Sequence, residues 1–296
     1  MKLLISLLVL MFGAAEVWSA PPARRSGVSV PPGKFQLWFP SQKYWDFRSA
    51  GLRVSIAPLP CDAAHPSEGC RFEGLNNQAL VTITAKGMER FQVETDNQSA
   101  WYRLAVVQID RRDRLPGVII ENNSGGSAGS LVLYAIKPVG HRFQRVVLEQ
   151  RANGVAQPWL LEGDIADDPQ DLSRDGVIDI VARDGQFAFA FGCNACTPRP
   201  PVIFTIRSGQ GTDMSRDPAF APIFRRDMKQ NAAGCRNRRQ RYRNGACAAY
   251  AADAARLGLY AQAAVNVARW YNPDGDEGAD FPKVLHAFLV KAGYLP

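Results

Sequence analysis

The segment Asp171-Leu-Ser-Arg-Asp-Gly-Val-Ile-Asp179 places oxygen-bearing side chains at its first, third, fifth and ninth positions around Gly176, a residue that permits a tight turn. Loops with that spacing wrap hard cations, so Asp171, Ser173, Asp175 and Asp179 form a candidate ligand set for Ca²⁺. A plainer reading stands beside it. Asp164, Asp167, Asp168 and Asp184 extend the run, and aspartates in such numbers also serve as turn formers and solvated charge. A second acidic run, Asp274-Gly-Asp-Glu-Gly-Ala-Asp280, reads as a solvated connector. Counted from Asp274, its sixth residue is Ala279 instead of glycine and its twelfth is Leu285 instead of a bidentate glutamate.

The six cysteines form three close pairs: Cys61 with Cys70, Cys193 with Cys196, and Cys235 with Cys247. In an oxidising compartment the neighbour pairing closes the smallest loops, so three local disulfides are expected. Cys193-Asn-Ala-Cys196 also has the spacing of a redox motif, in which the first cysteine sits at a helix N-terminus that stabilises its thiolate. Here the strand-like run Phe187–Phe191 precedes it and Thr197-Pro-Arg-Pro-Pro201 follows. A clasp pinching a hairpin is the preferred reading, with a redox centre or a pair of metal ligands as alternatives.

Between Cys235 and Cys247 lie Arg236, Arg238, Arg239, Arg241 and Arg243, a candidate anion patch. Outside a cytoplasm its natural partners are lipopolysaccharide phosphates, acidic glycans and anionic headgroups, all held more weakly as salt rises. The alternative is an ordinary exposed helical face. The net charge of +7 agrees with an anionic partner but bears on encounter more than on specificity. Compartment disfavours nucleic acid. Other catalytic signals are thin: His65, His141 and His286 fall in a cysteine-bounded loop, a turn and an apolar helix, and no nucleophile elbow, zinc-protease helix or phosphate loop is present. Ser124-Gly-Gly-Ser-Ala-Gly-Ser130 reads as a hairpin connection, not an anion cradle.

The compartment follows from the first 20 residues. Lys2 precedes an uncharged apolar run from Leu3 to Phe12, and small residues lead to Pro21 and Pro22, the pattern of a signal peptide cut after Ser19. No later run is long enough to span a bilayer, so the mature chain is expected in the periplasm or secreted, with no transmembrane segment. After a flexible segment at 21–35, residues 36–215 carry short runs rich in Val, Ile and Phe broken by turn residues, a β domain. Residues 216–296 are rich in alanine, leucine and arginine and read as a small helical domain. Its final helix begins near Asp280 and Pro282 and ends at Gly293. The fold class is α+β, mainly β. Ala248–Ala264 resembles one tetratricopeptide-like hairpin, which alone is too little to make a repeat scaffold.

Within the β region two stretches share one order. Leu104–Ile109, the turn Asp110-Arg-Arg-Asp113, Gly117–Glu121, Gly129–Ala135 and Arg142–Leu148 are answered by Leu160–Asp164, the acidic loop, Val177–Ala182, Gln186–Phe191 and Pro201–Ile206. Each spans roughly 45 residues, the length of a four-stranded propeller blade. Asp171-x-Ser-x-Asp175-Gly176-x-x-Asp179-Ile180-Val181 and its following hairpin resemble the FG-GAP or VCBS β-propeller repeat of integrins and many bacterial secreted proteins. The resemblance covers 104–150 and 160–206. It implies propeller-like units and a structural Ca²⁺ held by Asp171, Ser173, Asp175 and Asp179. The chain is also similar to uncharacterised exported proteobacterial proteins that join such a region to a cysteine-bearing helical tail.

These features point to an exported, disulfide-containing protein that acts by binding, as a scaffold for an unknown protein or an anionic envelope component. A periplasmic thiol-disulfide oxidoreductase using Cys193 and Cys196 is the alternative.

Overall fold

Alternating apolar residues between Gly, Asn and Asp turns build antiparallel meanders, because each strand can hide one face only against another layer. The computed structural model describes residues 26–59, 78–95, 99–125, 130–146, 149–152, 155–158, 161–162, 168–207 and 210–296. The leader at 1–20 and the Cys61–Cys70 pair lie outside these residues.

The first sheet has the order β1 (Val28–Ser29), β3 (Trp45–Ser49), β4 (Leu52–Pro58), β5 (Ala79–Ala85) and β6 (Phe91–Glu94). β1 pairs in parallel with β3, Val28 opposite Phe47, so part of the N-terminal segment expected to be flexible is a sheet edge. The second sheet runs β10 (Arg142–Val146), β9 (Ser130–Val139), β8 (Gly117–Asn123), β7 (Trp101–Val107) and β2 (Gln36–Trp38), with β13 (Leu161–Glu162) also paired to β9. β11 (Glu149–Ala152) and β12 (Val155–Pro158) form a separate hairpin. The third sheet is β14 (Asp179–Arg183), β15 (Pro201–Arg207) and β16 (Gln210–Asp213). Four helices follow: α1 (Ala221–Arg236), α2 (Arg243–Arg256), α3 (Tyr260–Trp270) and α4 (Phe281–Lys291).

The sheets stack in chain order. Phe47, Val54, Ile56 and Ile83 of the first pack on Tyr102, Leu104, Val118, Ile120 and Tyr134 of the second. The opposite face of the second, through Ile119, Leu133 and Ala135, packs on Ile180, Ala182, Phe204 and Ile206 of the third. Val181 and Ile203, on the third sheet's far face, meet Phe220 and Phe224 at the start of the helical region. Every residue of β8 is therefore buried, as a central strand covered on both sides must be.

This stack corrects the propeller expectation. The first repeat forms a four-stranded meander, β7 to β10, but the second does not. Its opening segment joins the second sheet through Leu161 opposite Leu131. Its third segment, Gln186–Phe191, is a 3-10 turn at Gly185–Phe187 followed by a further turn over 188–190, not a strand. Phe189 has φ 57° and is 64% exposed, whereas Phe187 and Phe191 are buried. Those two rings meet Phe288 edge-on, and Phe191 also meets Phe281, so the alternation that suggests a strand instead anchors a loop in the helical core. Burial of each ring contributes roughly 1.5–3 kcal/mol. Among the described residues the sheets end on helices, and no ring of blades closes.

In α2, the alanine face Ala246, Ala248, Ala249, Ala251, Ala252 and Ala254 is buried against its neighbours, and the small side chains let α1 approach closely. Among the described residues no helix is long and apolar enough to cross a membrane.

Candidate functional site

The acidic loop is a self-capped turn. Asp171 accepts hydrogen bonds from the amides of Asp175 and Gly176, at 3.0 and 2.9 Å. Asp175 accepts from the amide of Val177 at 2.9 Å and pairs with Arg207 at 2.5 Å. Asp179, 1% exposed, accepts from the amides of Leu172 and Ser173 and from the Thr205 hydroxyl. Ser173 Oγ is turned to Asp171, at 3.5 Å. The donor set does not fit a cation in this arrangement, because an ion would have to displace an arginine and several amides from the same oxygens. Among the described residues no group of three His, Cys, Asp or Glu is placed to hold a metal.

The turn at Asp110, whose sequence resembles a second copy of the loop, packs directly on it. Asp110 bridges Val177, the Arg111 amide donates to Gly176 O at 2.8 Å, and the Ile178 amide donates to Ile109 O at 2.9 Å. Gly176 has φ 91°, and its missing β-carbon makes the room that the Arg111 side chain fills. Arg112 grips the Asp110 carboxylate, chiefly through side-chain hydrogen bonds, and lowers its pKa to about 2. The two acidic turns thus lock the second sheet to the third.

The features that do converge lie on the helical side. Cys193 and Cys196 are joined by a disulfide, and so are Cys235 and Cys247. The latter pair is 0% exposed and ties the end of α1 to the start of α2. Cys193, in contrast, is exposed and Cys196 half-buried. The Cys193 loop, the arginine-bearing turn before α2 and the acidic run after α3 enclose a cleft of ≈ 360 Å³. Gly192 and Cys193 form one side, Arg241, Tyr242 and Asn244 another, and Asp274, Asp276 and Glu277 a third. Asn244 holds these pieces in register. Its amide donates to Asn272 O at 3.1 Å and to Glu277 at 3.3 Å, and it accepts from the Asn272 amide at 2.7 Å.

The five arginines divide by role. Arg243 donates to the carbonyls of Trp270 and Tyr271 at the end of α3, 2.9 and 3.1 Å away. Positive charge there also suits the helix dipole. Arg236 bonds Ala232 O and lies over the Trp270 ring at 5.2 Å. Arg238, Arg239 and Arg241 project from the exposed turn, with Arg241 over the Tyr242 ring at 5.6 Å.

A polar network, partly exposed at Arg183 and buried at Asn231 and Asp253, joins the third sheet to the helices. Arg183 of β14 pairs with Asp227 of α1 at 3.0 Å, and Asn231 Nδ2 donates to both Asp227 and Asp253, at 2.9 and 3.0 Å. Asp253 is 0% exposed, and burial, reinforced by the Asp227 charge, pushes its carboxyl well above the usual aspartate range. Asp184 is also raised, chiefly by burial, and accepts the Tyr294 hydroxyl at 2.8 Å. Arg256 lies over the Tyr294 ring at 4.4 Å. Sequence reasoning passed over Asp253, although a single carboxylate inside an alanine run is a legible signal of a buried polar contact. His141 is exposed in a turn, and His286 Nδ1 lies 3.0 Å from the Tyr260 hydroxyl, far from either cysteine pair in the chain.

Residues 224–293 match the family described as the sll0997 C-terminal domain. The chain is 24% identical over 249 residues to the probable thylakoid lumen protein sll0997 of Synechocystis sp., a match covering 72% of this chain and 68% of that protein. It is 26% identical over 188 residues to the uncharacterized protein y4bJ of Sinorhizobium fredii, covering 62% of this chain but only 26% of that protein. No solved structure matches. The family match falls on the helical region, and together with the open stack of sheets it overturns the FG-GAP and VCBS resemblance.

Proposed function

We propose that this chain is an exported binding protein whose working face is the exposed turn at 238–242. An exported location is supported by the leader-like first 20 residues and by similarity to a probable thylakoid lumen protein, a compartment topologically equivalent to a periplasm. The observation that carries the binding role is the division of the arginines. Two are tied into the helical scaffold, leaving Arg238, Arg239 and Arg241 together on an exposed turn beside Tyr242, which is 40% exposed. Guanidinium groups presented in this way suit phosphate or carboxylate groups of an envelope surface.

The test is sedimentation of the mature protein with outer-membrane vesicles and with an acidic polysaccharide at low and physiological salt. Binding is expected to weaken as salt rises and to fall in the triple variant Arg238→Gln, Arg239→Gln, Arg241→Gln. Unchanged binding in that variant removes the arginine turn from the role.

A further inference from the structure

We propose that the Cys193–Cys196 disulfide is an exchangeable redox centre opening onto the cleft, whereas Cys235–Cys247 is a permanent clasp. The inference is independent of the arginine turn's binding role.

The two bonds differ in access, on which exchange depends. Attack on a disulfide requires a thiolate to reach a sulfur atom. Cys235 and Cys247 are both 0% exposed within the helical core. Cys193 is exposed and lines the cleft, while Cys196 is half-buried and is not among the residues lining it, so Cys193 is the more accessible of the two to an incoming thiolate.

The loop is also held by contacts that do not need the bond. Phe187 and Phe191 anchor its approach in the helical core. The amides of Cys196 and Thr197 donate to Cys193 O at 2.9 and 3.1 Å, and the Thr197 hydroxyl reaches the same carbonyl at 3.2 Å. Arg199 donates to Asn194. With a sequence separation of 3, against 12 for the other bond, the Cys193–Cys196 link closes a much smaller loop and restrains the unfolded chain less. Reduction therefore leaves the loop in place, ready to be reoxidised.

The reaction is a dithiol–disulfide exchange with a partner dithiol. One partner thiolate attacks Cys193 Sγ, forming a mixed disulfide and releasing Cys196 as a thiolate that takes up a proton. The second partner thiolate then attacks its own sulfur in the mixed disulfide and expels Cys193. The partner gains a disulfide and loses two electrons, which the cysteine pair takes as two thiols; the reverse sequence reduces a partner. Asp274, Asp276 and Glu277 outnumber Arg241 around the opening, so a thiol on a neutral or basic segment approaches more readily than one flanked by carboxylates.

The mature oxidised protein, incubated in graded dithiothreitol, quenched with an alkylating agent and read by peptide mass spectrometry, tests this directly. Cys193 and Cys196 are expected to become alkylated roughly tenfold or more faster than Cys235 and Cys247, with far-UV circular dichroism unchanged. In a Cys196→Ser variant, the Cys193 thiolate is expected to attack the disulfide-linked dimer of a basic cysteine peptide, expelling one peptide as a thiolate and leaving an isolable mixed disulfide, and to react more slowly with the dimer of an acidic peptide. Equal reduction rates for the two pairs, or loss of helical signal as Cys193 and Cys196 are reduced, would show a structural clasp and overturn the proposal. Cys61 and Cys70 give separate peptides and do not confuse the reading. Vesicle binding by the arginine turn is measured separately, so one idea can fail without the other.

Discussion

Thr197 occupies the space that a β-carbon on Gly245 would need. A methyl group there would stand 3.0 Å from Thr197 Cα and Oγ1 and 3.1 Å from Cγ2, so the cysteine loop sits directly on the first turn of α2. Alanine normally favours a helix over glycine by up to about 1 kcal/mol. In Gly245→Ala that gain is opposed by overpacking against a backbone atom, which cannot swing away as a side-chain tip can. Net destabilisation of about 1–2 kcal/mol is expected by urea denaturation. The same variant should speed reduction of Cys193–Cys196 by loosening the loop. A variant more stable than the parent would show that the contact yields freely.

Asp253 and Asp184 predict an unusual pH dependence. Each is pushed above the ordinary aspartate value near 3.8, Asp253 strongly, by burial. The native state therefore keeps protons that the unfolded chain releases. Their favourable contribution is full below pH 3.8 and is lost as pH rises from there through the folded-state values. The groups facing Asp253 are Asp227, Asn231 and, by charge, Arg183, and the Asp227 carboxylate reinforces the upward shift. Asp253→Asn removes the ionisable group while keeping a polar partner for Asn231. Its urea midpoint is expected to lie above the parent's at pH 7.5, and the gap is expected to narrow as pH falls toward 3.8. A parallel pH profile in parent and variant would refute this role.

Asp110 has the opposite sign. Its pKa is lowered from 3.8 to about 2, mainly by hydrogen bonds from Arg112, so its contribution is present above pH 3.8 and is lost as pH falls toward 2. Asp110→Asn is expected to lessen acid sensitivity between pH 4 and pH 2 without moving the neutral-side slope that Asp253 produces. Denaturation midpoints across that interval provide the check. Arg112 is largely exposed, which keeps the effect modest.

Local pattern explains what was legible. The strands from Trp101 to Val146 are joined by turns, so alternation and turn residues sufficed to mark them. Helix boundaries near Asp280, Gly258 and Gly293 were equally local. The segment Gln186–Phe191 deceived because Ala and Phe alternate with the period of a strand, while Phe187 and Phe191 in fact share one core and Phe189 faces solvent. The cleft was not legible, because Cys193, Arg241 and Asp274 meet only through the packing of the cysteine loop on the helical hairpin. In the acidic loop, residue types pointed correctly to an oxygen-rich turn but could not reveal that its oxygens face amides and Arg207.

That geometry sets apart the effects of loop variants and of calcium. Asp179 is buried and accepts from two amides and Thr205, so Asp179→Ala leaves several donors without partners and should cost about 2–4 kcal/mol. Asp175→Ala loses one amide contact and a surface ion pair, a cost of about 0.5–1.5 kcal/mol. Millimolar calcium or a chelator is expected to leave the melting temperature of the parent unchanged. A rise with calcium that disappears in Asp175→Ala would instead show that the loop rearranges to release its oxygens for the ion.

The two disulfides make a final contrast, in stability instead of rate. Cys235–Cys247 links two helices across a separation of 12 residues and is sealed among alanines, so replacing both cysteines removes a chain restraint and opens space in a packed core. A loss of about 2–4 kcal/mol is expected for Cys235→Ala with Cys247→Ala, measured by urea denaturation under oxidising conditions. Cys193→Ser with Cys196→Ser should cost clearly less, since its loop is small and its contacts to Thr197 and the Phe187 anchor persist. If the second double variant were the more destabilised, the cysteine loop would depend on its bond for shape, and the division of labour between an inner clasp and an outer exchangeable pair would be wrong.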